Sequence, residues 1–162
     1  MIVRRDSTKS GVSRAGHDER CGWLIADWRP TVSSPKYFFA MFGDPRPPEK
    51  DTIESGIYHP DPKHAPFPTR PGDVLLLYCT GSYRQYPMQA PGLGIVLHTD
   101  NEIVRYRYLT LSQPISKDRI EHEFQPSDAD KFKNRRFTGF WLFEISRESF
   151  VRAFGNRAIV WP

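Results

Sequence analysis

Residues 70–82 read Arg70-Pro71-Gly72-Asp73-Val74-Leu75-Leu76-Leu77-Tyr78-Cys79-Thr80-Gly81-Ser82, and this stretch decides the fold. Pro71-Gly72 is a turn pair, because proline presets one turn dihedral and glycine accepts backbone angles that a Cβ disfavours. Val74 to Cys79 is a continuous apolar run, too short for an ordinary helix, and predicts a strand buried on both faces. Thr80-Gly81-Ser82 stops it. Working outward, Tyr37 to Phe42 (YFFAMF) is a second such run, closed by the turn residues Gly43-Asp44-Pro45. Gly92 to His98 (GLGIVLH) predicts a third strand, in which Gly92 and Gly94 admit close approach of a second backbone. Thr99-Asp100-Asn101 has hairpin chemistry, and Glu102 to Thr110 alternates: Val104, Tyr106 and Tyr108 take one face, Arg105 and Arg107 the other. Gly139 to Ile145 (GFWLFEI) is the last strand.

Helix is sparse. Ser146 is an N-cap for a short helix that turns Phe150, Val151 and Phe154 to the core and stops at Gly155. Ser127 and Asp130 have capping-box spacing for another, running to about Lys133. The expected class is therefore mainly β with short helices (α+β), a small β-barrel of about five or six strands, largely antiparallel or mixed.

Composition agrees. The 162 residues include 11 Phe, 7 Tyr and 4 Trp, enough large rings to bury a core despite a hydrophobic share of 38%. Fifteen prolines and 11 glycines argue against a helical bundle. No apolar run approaches the roughly 20 residues that span a bilayer, and the basic start MIVRRDSTKSG lacks the apolar stretch of a secretory signal. Two cysteines build no disulfide framework, which points to a reducing compartment: cytoplasm, or nucleus in a eukaryote. The net charge of +4 permits a polyanion partner without requiring one. Residues 1–20 read as a flexible basic arm and 21–162 as a single domain. The connection from Asp44 to Pro71 holds eight prolines, and its length and stiffness suit a rigid functional loop.

Several chemistries are poorly provided for. His59, Asp61 and His64 lie together in HPDPKH, but a metal needs three or four converging ligands, so no metal and no cofactor is expected. Cys79 would need a base such as His98 or His64 to become a nucleophile, and reads as a buried structural thiol. No GxSxG, HExxH or phosphate-loop motif occurs. The strongest pattern is aromatic residues interleaved with arginine. Tyr78, Tyr83, Arg84 and Tyr86 crowd the end of one strand, Arg105, Tyr106, Arg107 and Tyr108 load another, and Trp23 and Trp28 add rings near the start. Bases stack on such rings while arginine positions phosphates; the same rings also fit the core of an aromatic-rich barrel.

The order of these segments, YFFAMFGDP, a long irregular connection, RPGDVLLLYCTGS and GLGIVLH, resembles the EVE domain of the PUA-like superfamily, related to YTH domains, over about residues 36–155. The resemblance implies a non-catalytic module that recognises a modified, for example methylated, base of DNA or RNA in an aromatic pocket. Its partner is then nucleic acid, alongside other components of a defence or RNA-processing system, with no membrane involved. It also implies that Phe42, Gly43 and Asp44, with Cys79, Thr80, Gly81 and Ser82, rim that pocket. The chain has Phe42-Gly43-Asp44-Pro45 where EVE domains have lysine-serine-glutamate-proline, and Trp23, Trp28 or Tyr58 would stand in for the family's loop tryptophan. Tyr78 and Tyr83 complete the ring set. Asp44 is suited to accept a hydrogen bond from an exocyclic amine, and Arg84, Arg105, Arg107, Arg135 and Arg136 to hold the backbone. Two rivals stand beside this reading. One is an ASCH-like ribonuclease or modified-nucleoside hydrolase using Lys36, Asp44 and Tyr78; the other is a protein-interaction module.

Overall fold

The structure is a computed structural model that describes residues 34–43, 52–133 and 141–160, all within one unit spanning Ser34–Pro162. The two apolar runs form β1 (Tyr37–Phe42) and β3 (Val74–Cys79), paired in parallel from Tyr37 opposite Val74 to Phe42 opposite Cys79. Between them lies β2 (Ile57–Tyr58). The chain continues through β4 (Gln89–Thr99), β5 (Val104–Ser116), helices α1 (Lys117–Glu123) and α2 (Pro126–Lys133), β6 (Leu142–Ile145), α3 (Arg147–Phe154) and β7 (Ile159–Val160). One sheet runs β2-β5-β4-β3-β1-β6, with β7 also on β5. The fold is mainly β, a curled half-barrel sheet with three short helices.

β1 and β3 are apolar throughout because both faces of the sheet are covered. Phe39, Met41, Leu76 and Tyr78 face the helices, meeting Ile120, Phe124, Phe132 and Phe150. Phe38, Ala40, Phe42, Leu75, Leu77 and Cys79 face the inside of the curl, where Ile53, Tyr58 and Phe67 of the proline-rich connection fill the space. The described part of that connection, from residue 52 on, is thus packed against the sheet. Tyr58 ties the curl together. It stands on β2 at one end of the strand order, yet its hydroxyl reaches the carbonyls of Met41 on β1 (3.0 Å) and Trp141 just before β6 (2.8 Å) at the other.

The Pro71-Gly72-Asp73 turn has a structural cause. Gly72 sits at φ +93°, and the buried Asp73 carboxylate accepts the N–H groups of Lys36 (2.9 Å) and Arg70 (2.8 Å). It therefore aligns the starts of β1 and β3. Gly92 admits the β5 backbone as expected, and at both glycines an aromatic ring also approaches. A β-carbon at Gly94 would lie 2.7 Å from Cδ2 of Tyr106, and one at Gly92 would enter the Tyr108 ring as well as meeting the Leu109 carbonyl at 2.7 Å. Two tyrosines of β5 lie across the bare backbone of β4.

Other boundaries moved. β4 and β5 are longer than their sequence patterns, and β2, β7 and α1 were not foreseen. α2 begins at Pro126 rather than being capped by Ser127. Ser146 caps α3 as expected, its hydroxyl accepting the Ser149 N–H at 3.1 Å, but Val151 points outward at 50% exposure. The proposed arm at 1–20 lies outside the described residues, as do 21–33.

The helix layer is pinned by Asp128 of α2. Its buried carboxylate accepts from the Ser146 N–H (2.8 Å), the Ser149 hydroxyl (2.7 Å) and the Lys131 ammonium (3.1 Å). Burial pushes this carboxyl up, but those bonds outweigh it and hold it below the ordinary carboxylate value. A depressed folded-state value contributes stability above the unfolded value of about 4, lost as pH falls through the folded one. Asp128→Asn is expected to cost about 2 kcal/mol at neutral pH, with the difference from wild type shrinking toward pH about 3. Urea denaturation at the two pH values checks this; a constant difference contradicts it.

Candidate nucleic-acid interface

Parallel pairing makes the C-terminal ends of β1 and β3 coincide. The Thr80 N–H donates to the Phe42 carbonyl at 2.8 Å, so Phe42-Gly43 and Thr80-Gly81-Ser82, far apart in sequence, meet at one end of the sheet. The turn that follows is internally braced. The Tyr83 N–H donates to the Thr80 carbonyl (3.0 Å), the hydroxyls of Thr80 and Ser82 lie 2.9 Å apart, and Met88 takes a left-handed φ of 57° before β4 begins. The Lys117 N–H reaches the Met88 carbonyl at 3.0 Å, docking α1 against the same turn. Gly81, Ser82, Arg84 and Gln85 are exposed, and Tyr86 and Gly43 are half-buried. Among the described residues, a β-carbon at Gly43 would meet nothing within 4 Å.

Behind this rim the rings are core. Phe42, Tyr58, Tyr78 and Cys79 are fully buried, and Thr80 and Tyr83 nearly so. Tyr58 stacks tilted on Phe42 at 4.8 Å. Ile53 is held at both backbone groups: its N–H donates to the Tyr83 hydroxyl (3.1 Å), and its carbonyl accepts from the Tyr106 hydroxyl (2.6 Å). Tyr78 points to the opposite face, its hydroxyl on Met88 Sδ at 3.5 Å. Burial pushes the phenols of Tyr58, Tyr78 and Tyr83 up, so all stay neutral. Of the residues expected to form a pocket, the described ones divide into these enclosed side chains and the open rim of Gly43, Gly81 and Ser82. Tyr86 and Met88 join that rim, and sequence reading had not placed Met88 there. Trp23, Trp28 and Asp44 lie outside the described residues.

The arginines separate. Arg84 is exposed beside the rim. Arg105 and Arg107 are exposed on β5 opposite His98 and Ile95. Ser116, the β5 residue nearest the rim through its pairing with Gln89, is nine residues beyond Arg107, roughly 30 Å along the strand. Arg135 and Arg136 lie outside the described residues. Arg119 of α1 and Arg157 beyond α3, which no motif linked, come together in a polar cleft.

The described residues named for catalysis stand apart. Burial and the nearby Glu54 push the Cys79 thiol up to about 12, so it is no thiolate at neutral pH. His98 stands toward the far end of β4 from Gln89, the partner of Cys79. Lys36 precedes β1 and pairs with Glu144 at 2.9 Å, whereas Tyr78 lies opposite Met41 near the other end. Among the described residues, no three of His, Cys, Asp and Glu converge as metal ligands. The Asp61 carboxylate instead accepts the Lys63 N–H at 3.0 Å, a local turn. No helix among the described residues is long and apolar enough to cross a membrane. No protein-family model, curated protein or solved structure matches the chain.

Proposed function

We propose that this chain is a non-catalytic nucleic-acid-binding module on a PUA-like barrel of the EVE type, which receives a modified base at the rim formed by Gly43, Gly81 and Ser82, with Phe42 and Thr80 buried behind it. One observation carries the reading. The two motifs that the family resemblance assigns to a pocket are joined by the hydrogen bond from Thr80 to Phe42 at one strand end. Glycine at 43 suits a flat heterocycle, because among the described residues nothing lies within 4 Å of where its β-carbon would be. At Gly81 the nearest side chain is Met88, whose Sδ would lie 3.4 Å from a β-carbon. Tyr86 offers a half-buried ring for stacking and Arg84 a cation for phosphate. In this reading Arg105 and Arg107 extend the backbone contacts along β5. The buried tyrosines support the rim from behind.

Gly43→Leu tests the rim without disturbing the described core, since among the described residues its β-carbon meets nothing within 4 Å and its backbone angle is unstrained. Stability is expected to change by about 0.5 kcal/mol or less. Affinity for short oligonucleotides carrying a methylated cytosine or methylated adenine is expected to fall at least about tenfold. Arg84→Gln should weaken modified and unmodified strands alike and reduce the salt slope by about one. Unchanged affinity in Gly43→Leu contradicts the site, and salt-insensitive or absent oligonucleotide binding favours a protein-interaction module instead.

A further inference from the structure

A second region has the makings of a binding site and owes nothing to the strand-end rim. Ser112 and Gln113 on β5, Arg119 on α1, and Asn156 and Arg157 between α3 and β7 line a cleft of about 310 Å³. That is roughly ten water molecules and the lower end of the usual range for small-ligand pockets.

Its two arginines are held by backbone carbonyls. Arg119 donates through Nε to the Ala153 carbonyl and through Nη2 to that of Arg152, both at 3.2 Å. Arg157 donates through Nε to the Gln113 carbonyl (2.9 Å), through Nη1 to those of Ala153 (3.3 Å) and Phe154 (3.1 Å), and through Nη2 toward Pro114 (3.5 Å). Both therefore close the C-terminal end of α3. Gly155 makes room for this: at φ +59°, a β-carbon there would lie 2.5 Å from Arg119 Nη2.

What the clamp lacks is an anion. Ion pairs among the described residues engage Lys36, His98, Lys117, Lys131 and Arg152, and none engages Arg119 or Arg157. The helix C-terminus supplies about half a negative charge against two guanidinium charges, leaving about one and a half uncompensated. Burial and the neighbouring Arg119 both push the Arg157 guanidinium down, the mark of a cation facing a cation. Nη1 of Arg119 has no acceptor among the described residues. The Ser112 hydroxyl accepts the Ala158 N–H at 3.1 Å, which leaves its own proton to give, and the exposed Gln113 and Asn156 add amide donors at the lip. Two rigidly held guanidiniums with neutral donors beside them suit a doubly charged, multi-oxygen anion better than a carboxylate.

We infer that this cleft binds a phosphoryl dianion, as a phosphate monoester or inorganic phosphate, through Arg119 and Arg157. The test is calorimetric titration of the full chain with inorganic phosphate, and with one oligonucleotide bearing either a terminal phosphate or a terminal hydroxyl. The expected results are a rise in melting temperature with inorganic phosphate and competition by it. A terminal phosphate should also bind at least about tenfold tighter than the hydroxyl. Binding of inorganic phosphate without preference for the phosphorylated strand assigns the cleft to small free phosphates. Asn156→Asp brings a carboxylate to the lip without removing a clamp, and should abolish the phosphate effects while leaving the ligand-free melting temperature no lower than that of wild type. Arg119→Gln should also abolish the phosphate effects in whatever fraction remains folded, and Gly43→Leu should leave phosphate binding intact. The inference is overturned if no phosphate probe binds, or if the effects persist in both Asn156→Asp and Arg119→Gln, which would leave the arginines as a helix clamp only.

Discussion

Phe39→Ala is expected to remove about 4 kcal/mol of stability, the middle of the range for emptying a buried phenylalanine site. Phe39 is fully buried in β1, between β3 and β6, and meets four rings from different parts of the chain: Phe143 at 5.2 Å, Tyr78 and Phe132 at 5.3 Å, and Phe124 at 5.8 Å. Phe124 and Phe132 belong to the helix layer, so one truncation loosens both the sheet and the helices docked on it. Domains of this kind are stable by only about 5–15 kcal/mol. The melting temperature should fall by about 10 °C or more. Chemical denaturation measures the loss directly, and a change below about 1 kcal/mol would mean that the helix layer does not pack on β1 as described.

The second large effect is at Tyr58, inside the curl. Tyr58→Ala deletes a buried ring packed on Phe42 and unties the two ends of the strand order; the expected cost is about 4 kcal/mol. Tyr58→Phe keeps the ring and deprives the Met41 and Trp141 carbonyls of a shared donor, for about 1–3 kcal/mol. This pair also separates two roles for the residue. A tyrosine that only braces the rim leaves oligonucleotide affinity of folded Tyr58→Phe within about twofold of wild type. A larger loss in a protein that remains fully folded would make its hydroxyl a ligand contact.

The parts of the fold that could be read ahead of the structure are those whose burial is written locally. YFFAMF and VLLLYC announce strands covered on both sides, and Asp100 announces its hairpin by accepting the N–H groups of Glu102 and Ile103, both at 2.8 Å. Ser146 and Gly155 likewise delimit α3. β2 and β7 are two residues each and exist through their pairing with β5, so no local pattern could reveal them. α1 buries only Ile120, too little apolar periodicity to register. The site was legible as an address and illegible as a surface. Parallel pairing turned two distant motifs into neighbours, but a count of rings could not say which tyrosines would have their hydroxyls committed to carbonyls of remote strands. Arg119 and Arg157 escaped for a related reason: only the return of the chain after α3 makes them adjacent.

The account stands most directly on a comparison of matched strands. Fluorescence titration with oligonucleotides identical but for one methylated base should show the modified strand binding at least about tenfold tighter, with the preference lost in Gly43→Leu. Equal affinity for both strands, or no binding to either, would contradict it.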